Sequence, residues 1–182
     1  MRRRRLYTIG HSNRTFDELV VALRAWEVTT LVDIRHFARS RANPQFNAAS
    51  LRRRLPAKGI EYIVMPDLGG RRARAKDVER ERNAGWTNAA FKNYADYAES
   101  SVFHDALVAL LDRSMHDTCA IMCAEAVWWR CHRRIVADYA ITKRVPVAHI
   151  FTPKKAVRAT RTPFARYDRS TRTLRYSAPT SR

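Results

Sequence analysis

The chain has 182 residues, of which 46% are hydrophobic and only 5 are glycine and 7 proline. This composition excludes disordered, collagen-like and low-complexity chains, and it predicts a folded domain with a core of its own. No apolar run is long enough to cross a membrane, and the basic start lacks the apolar segment of a secretory signal. We therefore expect a cytoplasmic protein with no membrane partner.

The formal net charge is +18, from 35 lysines and arginines against 17 acidic residues, and 29 of the basic residues are arginine. Arginine binds phosphate as a planar fork and stacks on bases, so this charge favours a nucleotide or nucleic-acid partner. Arginine-rich usage across a whole proteome explains the same excess equally well. Charge alone therefore does not identify a reaction.

Taken in chain order, short apolar runs alternate with helical patterns. The first run is followed by a helix that Thr15 caps, with Glu18 completing a capping box. The predicted strands cover residues 6–9, 30–34, 62–65, 118–124 and 145–151, and further helices cover 48–55, 87–111 with a break near Ser100, and 128–143. This alternation predicts an α/β fold: a mostly parallel five-stranded sheet with helices on both faces.

The C-terminal segment has a different pattern. Residues 164–167 and 174–176 predict an antiparallel hairpin on the sheet edge, with a solvated basic tail as the alternative. We therefore divide the chain into a basic N-terminal extension (1–5), a single α/β domain (6–151) and a basic C-terminal hairpin or tail (152–182).

Polar residues follow the predicted strands at their carboxyl ends. The loops of a parallel sheet converge at this edge, where open sheets of this class bind their ligands. We therefore predict a site there, with substrate-binding residues that include Gly10, His11, Ser12, Asp33, Arg35, Gly69 and Gly70. Asp33 and Arg35 either pair with each other or bind a ligand. Gly69 and Gly70 are interpreted as the hinge of a basic lid or as part of a solvated loop.

Residues 122–134 carry the densest group of reactive side chains. Cys123 and Glu125 are two residues apart, and a helical projection places Cys131, His132 and Arg133 toward the sheet, with Asp138 toward water. A cysteine beside cationic groups favours its thiolate, and a carboxylate near a strand end can transfer protons. The structural alternative is that the cysteines fill the core and that Glu125 and Arg133 form an ion pair.

Metal and nucleotide motifs of the standard kinds are absent from the sequence. The spacing of Cys123 and Cys131 does not match a zinc knuckle, although a site with His11 is geometrically conceivable, and there is neither a P-loop nor a GxGxxG motif. We therefore predict no metal and no cofactor.

Several motifs together resemble domain-of-unknown-function family 488. They are Thr8-Ile-Gly-His-Ser12, Leu31-Val-Asp-Ile-Arg35, Asn43-Pro-Gln-Phe46, Leu68-Gly-Gly-Arg-Arg72, Gly85-Trp86 with Asn88, Tyr94-Ala-Asp-Tyr97, Met122-Cys-Ala-Glu-Ala126, Trp129-Arg-Cys-His-Arg133 and Val147 to Ile150. The family has no settled reaction, and the resemblance implies functional roles for Cys123, Glu125, Cys131, His132 and Arg133. The chain departs from the family pattern at Thr87, at Asn93 and at Asp168-Arg169.

These observations favour an enzyme that acts on a phosphate-bearing substrate. Glu125 would be the general acid or base, Cys123 or Cys131 the nucleophile or redox thiol, and Arg35 and Arg133 the anion clamp, with His132 orienting Glu125 or a cysteine. Reaction classes remain open between hydrolysis and thiol chemistry. A non-catalytic nucleic-acid-binding module and a thiol redox sensor are the alternatives, and the oligomeric state is not indicated.

Overall fold

The computed structural model describes residues 5–75, 78–79 and 81–178, and within them it places six strands in one sheet and two in a separate hairpin. The sheet has the order β3-β2-β4-β1-β5-β6. Its strands are β1 (Leu6–Gly10), β2 (Thr30–Asp33), β3 (Glu61–Val64), β4 (Cys119–Cys123), β5 (Val147–Thr152) and β6 (Lys155–Arg158). The first five strands pair in parallel, and only β6 is antiparallel, which confirms the predicted α/β class.

Helices cover both faces of the sheet. They are α1 (Phe16–Ala25), α2 (Ala48–Arg54), α3 (Ala89–Tyr97), α4 (Ser101–His116) and α5 (Arg133–Thr142). Alternate side chains of β1 and β4 point to opposite faces, so Ile9 and Met122 pack with α1 and α2, whereas Leu6 and Ile121 pack with α3, α4 and α5. The predicted capping box of α1 is present, with Glu18 N donating to Thr15 Oγ1 and Thr15 N donating to Glu18 Oε2.

The sheet has one strand more than the sequence predicts. The extra strand, β6, turns back from β5 and forms one edge of the sheet. The hairpin itself forms, from β7 (Ala165–Asp168) and β8 (Thr173–Tyr176), but its strands pair only with each other. Strand β6 is short, largely exposed and charged at both ends, as edge strands often are, and it therefore lacks an apolar signal.

The helix predicted over 128–143 begins later than expected. A short 3₁₀ turn covers Trp128–Arg130, Cys131 is extended, and α5 begins only at Arg133. Asp138 of this helix is buried and not turned to water: its carboxylate accepts hydrogen bonds from Thr162 N and Tyr176 Oη. Asp138 thus joins α5 to the C-terminal hairpin.

Some predicted segments lie partly outside the described residues. These are the N-terminal extension, of which only Arg5 is described, parts of the basic loop 71–85, and the last four residues of the chain. No helix among the described residues combines the length and apolar character needed to cross a membrane.

His149 is a buried titratable group on β5, the strand that lies between β1 and the edge strand β6. Its Nδ1 lies 2.8 Å from Thr8 Oγ1, and its ring stacks on Trp128 at 4.4 Å. Burial, together with the nearby positive charge of Arg133, lowers the pKa of His149 from 6.5 to about 3. The folded protein therefore keeps this ring neutral at pH values where the unfolded chain takes up a proton.

We expect this neutral histidine to make the protein less stable in mild acid. Below pH 6.5 only the unfolded state gains the proton, so His149 should lower the free energy of unfolding by about 1.4 kcal/mol per pH unit down to about pH 4. Urea unfolding of wild type and His149→Gln between pH 7 and 4 measures this slope. His116→Gln, at an exposed helix end, is the control and should keep the wild-type slope. If His149→Gln kept the wild-type dependence of unfolding free energy on pH, His149 would not be the buried neutral group that causes it.

Candidate functional site

The parallel register brings three strand ends to one place. Gly10 at the end of β1 pairs with Cys123 at the end of β4, and Asp33 at the end of β2 pairs with Met122. The segments that leave these strands enclose a cleft of about 650 Å³. The cleft is lined by seven of the residues predicted to form a site: His11, Arg35, Gly70, Cys123, Glu125, Cys131 and His132.

Asp33 and Arg35 pair with each other beneath this cleft. Arg35 Nε donates to Asp33 Oδ1 at 2.8 Å, and Arg35 Nη2 donates to Asp33 Oδ2 at 2.5 Å. Tyr62 Oη donates to the same carboxylate at 2.6 Å, and Phe46 O accepts from Arg35 Nη2 at 2.6 Å. Burial raises the pKa of Tyr62, and the Asp33 carboxylate raises it further, so the hydroxyl remains a donor. The guanidinium of Arg35 is therefore engaged by the protein itself, although it borders the cleft.

His11 is a buried, neutral part of the same network. Its Nδ1 donates to Ser12 O at 2.8 Å, because a carbonyl oxygen only accepts, and its Nε2 therefore accepts from Arg35 Nη1 at 3.2 Å. Burial lowers the pKa of His11 to about 4, and its ring stacks on Phe46 at 4.3 Å. Ser12 is half-buried beside it, and its hydroxyl donates to Asn13. Both nitrogens of His11 have partners within the protein, which disfavours His11 as a metal ligand.

Arg133 lies under the loop between β4 and α5. Its side chain is 1% exposed, its Nη2 donates to Glu125 O at 2.6 Å, and its Nε donates to Cys131 Sγ at 3.3 Å. A Cβ atom at Gly10 would lie 1.8 Å from Glu125 O and 3.0 Å from Arg133 Nη2. The missing side chain of Gly10 therefore lets β1 approach this loop, and Arg133 holds the loop against the strand.

Cys123, Cys131 and His132 form one cluster at the floor of the cleft. Their ligand atoms all lie within 4.8 Å of one another, and Cys131 Sγ is 3.6 Å from His132 Nδ1. Burial raises the pKa of Cys123, and the adjacent Cys131 raises it further. Burial also disfavours ionisation of Cys131, but the hydrogen bond from Cys123, together with His132 and Arg133, holds the pKa of Cys131 well below its ordinary value. The third cysteine, Cys119, is buried at the other end of β4.

Gly69 and Gly70 are buried where other groups approach them closely. A Cβ atom at Gly70 would lie 2.8 Å from His132 Nδ1, and one at Gly69 would lie 2.7 Å from His36 N. Arg72 Nε donates to Gly69 O at 2.9 Å, which fixes the start of the basic segment. Close packing of Gly69 against the His36 backbone and of Gly70 against the His132 ring thus accounts for these glycines without a hinge.

Glu125 is exposed at the wall of the cleft. Its backbone carbonyl binds Arg133, but its carboxylate forms no ion pair with Arg133 among the described residues, so the ion pair considered from the sequence is absent there. The carboxylate therefore remains available to a ligand in the cleft.

Four exposed arginines surround the opening of the cleft, namely Arg39, Arg41, Arg71 and Arg130. Phe37, which is 62% exposed, and Phe91 add aromatic surface. Sequence reasoning missed Arg39 and Arg41, because they lie in an irregular segment without periodicity. The signal that could have found them is their place in the segment that leaves β2, at the edge where the other site residues converge.

A family model described as domain of unknown function DUF488 matches residues 15–140 of the chain. The chain belongs to this family. No curated protein and no solved structure matches it. Membership of DUF488 confirms the resemblance seen in the sequence, and it assigns no reaction.

In this DUF488 chain, Gly10 should tolerate no side chain. Gly10→Ala forces a methyl group into the backbone of the loop at Glu125, so we expect a loss of about 3 kcal/mol of unfolding free energy. Gly59→Ala is the control: Gly59 has φ +74° but open space around it, so only about 1 kcal/mol of backbone strain is expected. Urea unfolding of both variants measures the difference. If both variants lost the same unfolding free energy, this result would contradict the close approach of β1 to the loop at Glu125.

Proposed function

We propose that this protein is an enzyme that acts on a phosphate-bearing substrate, a nucleotide or nucleic acid, in the cleft at the carboxyl edge of the sheet. The observation that carries the proposal is that one cleft joins a reactive floor to a cationic opening. The floor contains Cys131 and His132, Glu125 lies at the wall, and four exposed arginines surround the opening. Side chains that only filled the core would not need a carboxylate and exposed arginines around the same cleft.

The opening suits a phosphate ester better than a small neutral molecule. Guanidinium groups bind phosphate oxygens through paired N–H donors, and Arg39, Arg41, Arg71 and Arg130 are exposed and available for such contacts. The buried Arg35 and Arg133, which the sequence suggested as the clamp, are engaged by the protein and instead shape the floor. We therefore assign phosphate binding to the exposed arginines.

The space beside the cleft supports a substrate larger than a phosphate group. A second hollow of about 620 Å³ shares Phe91, Glu125 and Arg130 with the cleft and also contains Trp129, which is 46% exposed. Aromatic side chains stack on bases with little regard to sequence. A nucleotide could therefore place its phosphate among the arginines and its base on this aromatic surface.

Glu125 is the group we assign to proton transfer. It lies at the wall common to both hollows, where a bound phosphate ester would be within its reach. The cysteine and histidine cluster at the floor supplies the reacting centre. Hydrolytic cleavage is the reaction class that uses such a carboxylate directly, by activating water or protonating a leaving group.

The first test concerns binding. We expect Arg39→Ser with Arg41→Ser, and separately Arg71→Ser with Arg130→Ser, to weaken binding of a fluorescent nucleotide or a short single-stranded oligonucleotide at least about tenfold, because each lost charged contact is worth about 1.5–3 kcal/mol. Arg24→Ser with Arg53→Ser removes the same charge from exposed positions outside the cleft. This control should change the affinity less than about twofold. Equal losses in all three double variants would indicate non-specific attraction by net charge.

The second test concerns turnover. Products formed from a panel of nucleotides and oligonucleotides would be separated by chromatography for wild type and for Glu125→Gln. We expect Glu125→Gln to slow product formation by about 100-fold or more while leaving binding of the same probes almost unchanged. Retention of full activity would exclude Glu125 as the proton-transfer group. Saturable binding that falls steeply with salt and yields no product would instead indicate a nucleic-acid-binding module.

A further inference from the structure

We infer that Cys123, Cys131 and His132 form a metal site that binds one zinc ion and leaves a coordination position open to the cleft. The inference goes beyond the proposed function and stands on the geometry of these three side chains. Membership of DUF488 assigns no metal to this chain.

The spacing of the donor atoms fits a tetrahedral ion. With Zn–S at about 2.3 Å, Zn–N at about 2.05 Å and a tetrahedral angle, the sulfur and nitrogen ligands lie about 3.6 Å apart. Cys131 Sγ and His132 Nδ1 are separated by 3.6 Å. Cys123 Sγ lies within 4.8 Å of both atoms. A small movement of Cys123 would therefore complete three corners of the tetrahedron.

The histidine is held in the tautomer that a metal requires. His132 Nε2 is 3.0 Å from the backbone carbonyl of Ile34, which only accepts, so Nε2 carries the proton. Nδ1 then presents its lone pair toward the two sulfur atoms. Metal-binding histidines commonly donate their other N–H to a backbone carbonyl in this way, which fixes the ring orientation.

The surroundings of the sulfur atoms also suit thiolate ligands. Cys131 Sγ accepts from the backbone N of Arg133 at 3.5 Å and from its Nε at 3.3 Å. These N–H groups stabilise negative charge on the sulfur, and such outer contacts tune bound metals. Two thiolates and an imidazole form a donor set that prefers zinc over magnesium or calcium.

Local backbone structure explains why neighbouring residues can share one ion. Cys131 is extended, with φ −131° and ψ 145°, whereas His132 is already helical, with φ −56° and ψ −17°. This change of conformation brings the two side chains together, and the end of β4 supplies Cys123. Gly70 leaves room for the imidazole, since a Cβ atom there would lie 2.8 Å from Nδ1.

All three ligands line the cleft, so the fourth coordination position faces its interior. Three protein ligands and one open position are the arrangement of catalytic rather than structural zinc sites. A water molecule at the open position would become more acidic and would be available to a substrate held by the arginines. The cluster would then act through the metal, with its cysteines as ligands and not as nucleophiles.

The test uses cobalt(II) alone, added to the full chain after removal of metals and reduction of the thiols. We expect one cobalt ion per chain, with the thiolate-to-cobalt charge-transfer band and the intense visible bands of a tetrahedral site, and displacement by zinc. Cys123→Ser and Cys131→Ser should lower the affinity at least about 100-fold and weaken the charge-transfer band. Cys119→Ala changes a cysteine outside the cluster and should bind cobalt as wild type does.

Absence of saturable binding, binding without the charge-transfer band, or an equal loss in Cys119→Ala would overturn the inference. Circular dichroism would show whether each variant folds. If a serine variant does not fold, X-ray absorption of the zinc-loaded wild type decides: two sulfur neighbours with nitrogen or oxygen support the site, and any other number of sulfurs overturns it. The cobalt experiment contains no substrate. A negative result would therefore rule out the metal site without ruling out a phosphate-bearing substrate, and a positive result would not depend on that substrate.

Discussion

The contact between the Arg133 guanidinium and the loop before α5 is the interaction on which the candidate site depends. A buried cation is costly unless it has partners, and Arg133 finds them in Cys131 Sγ and Glu125 O. Among the described residues, no carboxylate lies within ion-pair distance of it. Its charge is therefore directed at the sulfur cluster, and the fold keeps that cluster next to a fixed positive group.

The parallel register of the sheet makes this contact available. Pairing of Gly10 with Cys123 sets the end of β1 against the loop. Only glycine allows this approach, because a Cβ atom at position 10 would collide with the backbone of Glu125. Asp33, on the next strand, orients Arg35 and through it His11, so the second wall of the cleft is fixed by a buried ion pair. The floor is thus buried and hydrogen-bonded, whereas the groups that would meet a ligand first, Glu125 and the outer arginines, are exposed.

Sequence patterns predicted the elements that have a regular apolar pattern and missed the features that depend on irregular segments or tertiary contacts. Apolar runs correctly indicated all five parallel strands, and their order along the chain placed Cys123 and Arg35 at one edge. The start of α5 was predicted too early, because Trp128 and Trp129 fit a helical stripe although Cys131 is extended. Strand β6 was missed because its residues are mostly exposed, and the burial of Asp138 depends on a tertiary contact with Tyr176 that no local pattern shows.

The central claim is that Cys123 and Cys131, distant from Cys119, meet at an accessible cleft floor. Reaction of the reduced, metal-free protein with a trivalent arsenical, which bridges two neighbouring thiols, tests it most directly. Mass spectrometry should find one arsenical per chain, joining the peptides of Cys123 and Cys131, and the adduct should persist in Cys119→Ala. No bridged adduct, or one that includes Cys119, would contradict the account.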